Sequence, residues 1–121
     1  MGVAMIEVTL PWPDRALSPN APGQHWAKKA RAVKAAQNTA WALTLEALQG
    51  RKVPWASVNI HWHFHPKTAN RVDDDNAEAS CKPYRDGIAK ALGIDDANFT
   101  ATRSIGAPVK GGAVRITMEA A

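Results

Sequence analysis

Residues 58–66 read VNIHWHFHP, and the fold class follows from this stretch. Val58, Ile60, Trp62 and Phe64 alternate with Asn59, His61, His63 and His65, and Pro66 closes the run. A two-residue period belongs to a strand with one apolar and one polar face; a helix repeats every 3.6 residues and does not produce it. The segment is therefore read as a half-buried strand.

The flanks extend that reading. Upstream, residues 26–48 are rich in alanine and straight-chain side chains and are predicted to form one long helix. Its apolar face is assigned to Ala30, Val33, Ala40, Leu43 and Ala47, widened by Trp41, Leu45 and Leu48, with Gly50 just past its end. Further upstream, Ile6, Val8 and Leu10 alternate with Glu7 and Thr9 as a first strand, which Pro11 and Pro13 end before a loop at 18–23 (SPNAPG). Downstream, a second helix is predicted over about 76–92, kinked or split by Pro83 and ended by Gly93. Phe99, Ala101, Arg103 and Ile105 suggest a third strand, and Val114, Ile116 and Met118 a fourth. Residues 110–112 (KGG) read as a hairpin between them. The order strand, helix, strand, helix, strand, strand predicts a single α/β (α+β) domain over 1–121: a small four-stranded mixed or antiparallel sheet with two main helices.

Composition narrows the function classes. The chain has 121 residues, enough for one core, and carries 15 Lys+Arg against 11 Asp+Glu, a formal charge of +4 that favours a polyanionic partner. A lone cysteine, Cys81, fits a reducing cytosol and reads as a packing residue. No apolar run approaches the roughly 20 residues that span a bilayer, and Glu7, Pro11, Pro13 and Asp14 interrupt any leader-like stretch. The expected location is the cytoplasm, without membrane contact.

The chemistry concentrates in Asp73-Asp74-Asp75-Asn76. In an extended segment, Asp73 and Asp75 share a face while Asp74 points elsewhere. Converging carboxylates suit a hard divalent cation that keeps several waters, and Asp95-Asp96 is the obvious source of a third ligand if the intervening helix returns the chain to the same end of the sheet. The competing reading is that Asp74 or Asp75 caps the helix and its neighbours are solvated acids. A calcium loop counted from Asp73 fails, because its sixth position is Glu78 and its twelfth is Tyr84.

Asp73-x-Asp75-Asn76, a helix, then Gly93-x-x-Asp95-Asp96 before a strand resembles the pattern of the RusA-type Holliday junction resolvases. Leu10-Pro11-Trp12-Pro13 is similar to that family's opening strand and turn, and residues 82–87 (KPYRDG) to a segment of its phage-type members. The resemblance implies a magnesium-dependent endonuclease, with manganese as a substitute, that acts as a homodimer on four-way DNA junctions. It implies metal carboxylates at Asp73, Asp75 and Asp96, supported by Asn76 and Asp95. The family's lysine position, four residues after the second aspartate, is Ala79 here, which leaves Lys82 as the candidate in its place. A metal-dependent nuclease on other branched DNA, or a non-catalytic nucleic-acid binder with a structural acidic loop, remain alternatives.

His25, Lys28, Lys29, Arg31 and Lys34 crowd the start of the first helix, where cations oppose the helix dipole, and phosphate contact explains them better than helix stability does. Lys67, Arg71 and Arg103 flank the acidic loops as further DNA contacts. Trp12 and Trp26 are candidates to stack on unpaired bases, although core or interface packing is the commoner fate of tryptophan. His61, His63 and His65 share a strand face, but about 6.6 Å between neighbours is wide for three ligands on one ion, and they read first as polar sheet face.

Overall fold

A computed structural model describes residues 4–19, 26–70 and 72–121; His25 and Arg71 lie outside them. Strand β1 (Met5–Pro11) leads through a 3-10 turn at Arg15–Leu17 to helix α1 (Trp26–Leu48). Strand β2 (Val58–His65), helix α2 (Asp74–Ser80), helix α3 (Lys82–Leu92), strand β3 (Phe99–Ile105) and strand β4 (Ala113–Ala120) follow. The sheet order is β1-β4-β2-β3, with β4 antiparallel to both neighbours and β2 parallel to β3. The architecture is thus mixed α/β, one four-stranded mixed sheet and three helices.

Burial explains the order. Val58, Ile60, Trp62 and Phe64 of β2 and Val114, Ile116 and Met118 of β4 are all buried, and strands this apolar take the two central positions. Ile6, Val8 and Leu10 bury the inward face of β1 at one edge. At the other edge, β3 buries Phe99 but leaves Ile105 exposed. Against this face pack Ala36, Ala40, Thr44 and Leu48 of α1 and Tyr84, Ile88 and Leu92 of α3. All buried strand positions point to the helical layer; the opposite face of the sheet carries the polar alternates.

Three expectations change and one is sharpened. β3 and β4 do not form a hairpin: β2 lies between them, and the 106–112 segment passes the end of β2, with Gly106 N donating to Phe64 O (2.8 Å) and Val109 N to Pro66 O (2.9 Å). The second helix is split, as Pro83 suggested: it begins at Asp74 and breaks at Cys81, which puts Pro83 in the first turn of α3, where a missing N–H costs nothing. The inward face of α1 is rotated toward Ala36 and Thr44, which leaves Ala30, Trp41 and Leu45 exposed. Small residues win there because α1 and α3 touch closely. A Cβ at Gly87 would run into the Gln37 carbonyl oxygen and sit 3.0 Å from Ala40 Cβ and Trp41 N. Finally, the acidic run is not extended throughout, since Asp74 and Asp75 already lie in α2.

Two ties fix the layers. Tyr84 Oη donates to the Pro11 carbonyl (2.8 Å), joining α3 to the end of β1. Arg51 Nε donates to Leu48 O (2.8 Å) and Nη2 to Ala47 O (3.2 Å), satisfying carbonyls that the end of α1 leaves open. Trp55 and Trp62 are core residues; Trp12 meets Phe64 edge-on at 6.1 Å, and Trp26 is 77% exposed.

Candidate metal and nucleic-acid site

The acidic run sits where the chain leaves the loop after β2 and enters α2. Asp73 is the N-cap, neither Asp74 nor Asp75: its Oδ1 accepts from Asn76 N at 3.2 Å. Asp74 and Asp75 fall in the first turn, where the helix dipole favours negative charge. One ligand atom from each of Asp73, Asp74 and Asp75 can be chosen so that all lie within 4.8 Å of one another, which among the described residues is the one group of three such side chains. The convergence expected of Asp73 and Asp75 is present, achieved by a helix start instead of a strand, and it includes Asp74. Exposed acids gather in this way without a metal too, so the cluster alone does not establish an ion site.

The cluster forms a ridge between two clefts. One, of about 430 Å³, is lined by Trp12, Asp14, Arg15, Lys67, Asp73 and Asn76 among others. The second, of about 340 Å³, is lined by Trp62, Asp75, Glu78, Ala79, Lys82, Arg85 and Arg103. Asp73 therefore faces one cleft and Asp75 the other. The indole N–H of Trp62, in the second, is buried and finds no acceptor among the described residues.

Arg103 is the counter-ion of the ridge. Its Nε donates to Asp74 Oδ2 (3.2 Å), its Nη1 to Glu78 Oε1 (3.2 Å) and its Nη2 to Asp75. It reaches them because Arg103 pairs with Trp62 across the parallel strands and projects to the helical side. As arranged, its guanidinium serves three carboxylates. Any phosphate or cation entering here would compete with those pairs.

Asp96 lies outside the carboxylate group. Its Oδ2 accepts from Lys82 Nζ at 3.1 Å and lies 3.3 Å from Arg85 Nε, while Arg85 Nη2 donates to the Asp96 carbonyl at 2.9 Å. The bond from the Lys82 ammonium holds the Asp96 carboxyl below its ordinary range, with Arg85 adding to the effect. Lys82 also donates to Asp86 (2.9 Å), and these two hydrogen bonds raise its own pKa. The helical crossover thus returns Asp96 to two residues that line the second cleft, one step removed from Asp75. Asp95 spends its side chain capping a 3-10 turn, its Oδ1 accepting from Ala97 N at 2.9 Å. Ala79 lines this cleft and Lys82 stands beside it, although the break at Cys81 puts them on different helices.

Lys28, Lys29, Arg31 and Lys34 are exposed along α1, and Lys67 lines the first cleft. Lys29 and Lys34 join Trp26 and Lys90 around a shallow basic hollow, where Lys90 Nζ lies 4.8 Å from the centre of the Trp41 ring. Sequence reasoning missed Glu78, Arg85, Asp14 and Arg15. Glu78 and Arg85 carried a signal: each lies three residues after a candidate, Asp75 and Lys82, and so one helical turn away.

On the far face of the sheet, His61 and His63 meet edge to face with ring centres 4.1 Å apart. Burial, then His61, Arg115 and His65 nearby, hold the His63 pKa below its ordinary value. No protein-family model matches the chain. It is 45% identical over 103 residues to an uncharacterized protein of Xylella fastidiosa, an alignment covering 78% of this chain and 63% of that protein. The chain therefore spans less than two thirds of the relative's length. No helix among the described residues is long and apolar enough to cross a membrane.

Proposed function

We propose that this chain is a magnesium-dependent endodeoxyribonuclease of the RusA type that cuts four-way DNA junctions. The observation that carries the reading is the convergence of the Asp73, Asp74 and Asp75 carboxylates between two clefts lined by Lys67, Lys82, Arg85 and Arg103. An all-oxygen, anionic donor set suits magnesium or manganese and does not suit soft metals. Asp73 and Asp75 would hold the ion, with Asp96 as the third carboxylate once its pair with Lys82 opens. When bound, such an ion supplies Lewis acidity, lowering the pKa of a water and offsetting charge on phosphate oxygens.

The remaining work falls to this chain's own side chains. Opening the Lys82–Asp96 pair frees the ammonium for the phosphate being cut. Arg85 and Arg103 line the same cleft and neutralise neighbouring phosphates, while Asn76 is fixed at the cap by Asp73. The exposed cations Lys28, Lys29, Arg31 and Lys34 bind the backbone at a distance from the cut. A homodimer supplies two such sites related by a two-fold axis, matching the approximate symmetry of the junction and its two nicks.

The second reading, a nucleic-acid binder that does not cut, is favoured by one observation: Arg103 already pairs with Asp74, Asp75 and Glu78, and Asp73 already caps α2. A labelled four-way junction incubated with the protein, with magnesium or with chelator, separates the two. Paired nicks that need magnesium and vanish in Asp75→Asn support the nuclease. Tight binding with no nick in magnesium or manganese supports the binder. Nicks on flaps but not on junctions would keep the chemistry and change the substrate.

A further inference from the structure

We propose that His61 and His63 chelate a borderline transition-metal ion, zinc or nickel, on the open face of the sheet. The two residues are outward neighbours on β2, a spacing of about 6.6 Å along an ideal strand, too wide for ligands that stand straight up. In the structure they lean together. Their ring centres are 4.1 Å apart, and His61 Nε2 and His63 Nδ1 each lie 3.0 Å from the same atom, Ser104 Oγ. Two imidazole nitrogens thus converge on the Ser104 hydroxyl, and an ion taking metal–nitrogen bonds of about 2.0–2.1 Å from both would displace that hydroxyl from between them.

The surroundings fix the pair. Thr102 Oγ1 hydrogen-bonds the other ring nitrogen of His61, so that ring is held from behind and presents Nε2 forward, the second contact that ligating histidines commonly have. Ser104 comes from β3, opposite His63 in the parallel register, and Thr102 is opposite His61, so the strand pairing itself sets the geometry. His65 is not part of the site. Its Nδ1 lies 2.9 Å from the Ala107 carbonyl, and Gly106 lies so close beneath its ring that an added Cβ would come within 2.7 Å of it.

The donor type separates this site from the carboxylate ridge. Imidazole nitrogens suit zinc, nickel and copper, whereas magnesium wants oxygen. The two lie on opposite faces of the sheet, because Trp62 and Arg103 project to the helical side and His61 and His63 to the other. Solvent supplies the remaining ligand positions, since both histidines are only half buried. The proposal does not depend on nuclease activity.

The test is calorimetric titration of metal-free protein, without a polyhistidine tag, with zinc chloride, nickel chloride and magnesium chloride in turn. We expect one equivalent of zinc or nickel to bind, with affinity falling at least ten-fold in His61→Gln and in His63→Gln and unchanged in His65→Gln and Asp75→Asn. Ser104→Ala should keep the metal, since both nitrogens remain. Copper(II) added to the parent should give an electron paramagnetic resonance spectrum with nitrogen couplings, lost in the double variant His61→Gln/His63→Gln. Zinc binding unchanged in both histidine variants overturns the proposal, as does its loss in Asp75→Asn, which would place the ion on the ridge. Absence of zinc and nickel binding up to millimolar metal overturns it equally.

Discussion

Asp73 offers the sharpest separation of two roles, because it caps α2 and belongs to the carboxylate cluster. Replacing it by alanine removes the acceptor for Asn76 N, a 3.2 Å bond, and leaves that amide to water. Losing an N-cap acceptor costs about 1 kcal/mol, within a range of roughly 0.5–2. For a domain of this size that lowers the Tm by about 4 °C. Asparagine caps about as well as aspartate, so Asp73→Asn should hold the metal-free Tm to within about 1 °C of the parent. The ligand role behaves differently. Magnesium at ten times its Kd stabilises the native state by about 1.4 kcal/mol, and both variants should lose most of that rise. Differential scanning fluorimetry on parent, Asp73→Ala and Asp73→Asn, with and without magnesium, gives all six values. Equal metal-free losses in the two variants would refute the cap, and a full magnesium-induced rise in either would refute the ligand.

Gly87→Ala should be destabilising by about 1–2 kcal/mol, because a methyl wedged against the Gln37 carbonyl outweighs the roughly 1 kcal/mol that alanine gains in helix propensity; a raised urea midpoint would contradict the close α1–α3 contact. The single tyrosine, Tyr84, is pushed up to about 12 by burial, with Cys81 and Asp14 adding to it, so its phenolate absorbance should stay silent in native protein through the range near 10 where an unfolded tyrosine titrates. Since the folded pKa lies above the unfolded one, this group's contribution to stability is full below about 10 and is lost as pH rises from there toward 12. Native titration near 10 would place the hydroxyl in solvent. Cys81 is 1% exposed, and burial, then Glu78, drives its thiol pKa upward, so an aromatic disulfide reagent should label it only on unfolding; rapid labelling of native protein would show that the α2–α3 break opens.

The strands were legible because their alternation records burial directly: Ile6, Val8 and Leu10, the 58–64 set and the 114–118 set all face the core. The extent of α1 was legible from its composition, but its inward face was not, since the close approach at Gly87 selects small residues and that contact is tertiary. The KGG cue for a hairpin was local, and it lost to the demand of β2 for an apolar neighbour on each side, which no short-range signal encodes. The carboxylate convergence was anticipated with the wrong backbone, because Asp73 supplies a cap that lets the helix start two residues earlier than the apolar pattern suggests. The Arg103 bridge to Asp74, Asp75 and Glu78 was invisible, as it depends on which strand lies beside β2 and on which face Arg103 lands.

The pairing of β1 with β4 carries a consequence for how fast the sheet can close. Met5 lies opposite Glu119 and Pro11 opposite Ala113, so among the described residues β1 has its one sheet partner about 100 residues further along the chain. Until β4 is in place Ile6, Val8 and Leu10 form an apolar edge with nothing to zip against, and closing a gap of this length costs on the order of 4 kcal/mol in chain entropy. Folding of the sheet is consequently slow for the size of the domain, set by this long-range closure more than by helix formation. A circular permutant that joins the two ends by a short linker and opens the chain in the 49–57 connection turns β4 and β1 into a hairpin. It should fold many-fold faster at similar stability.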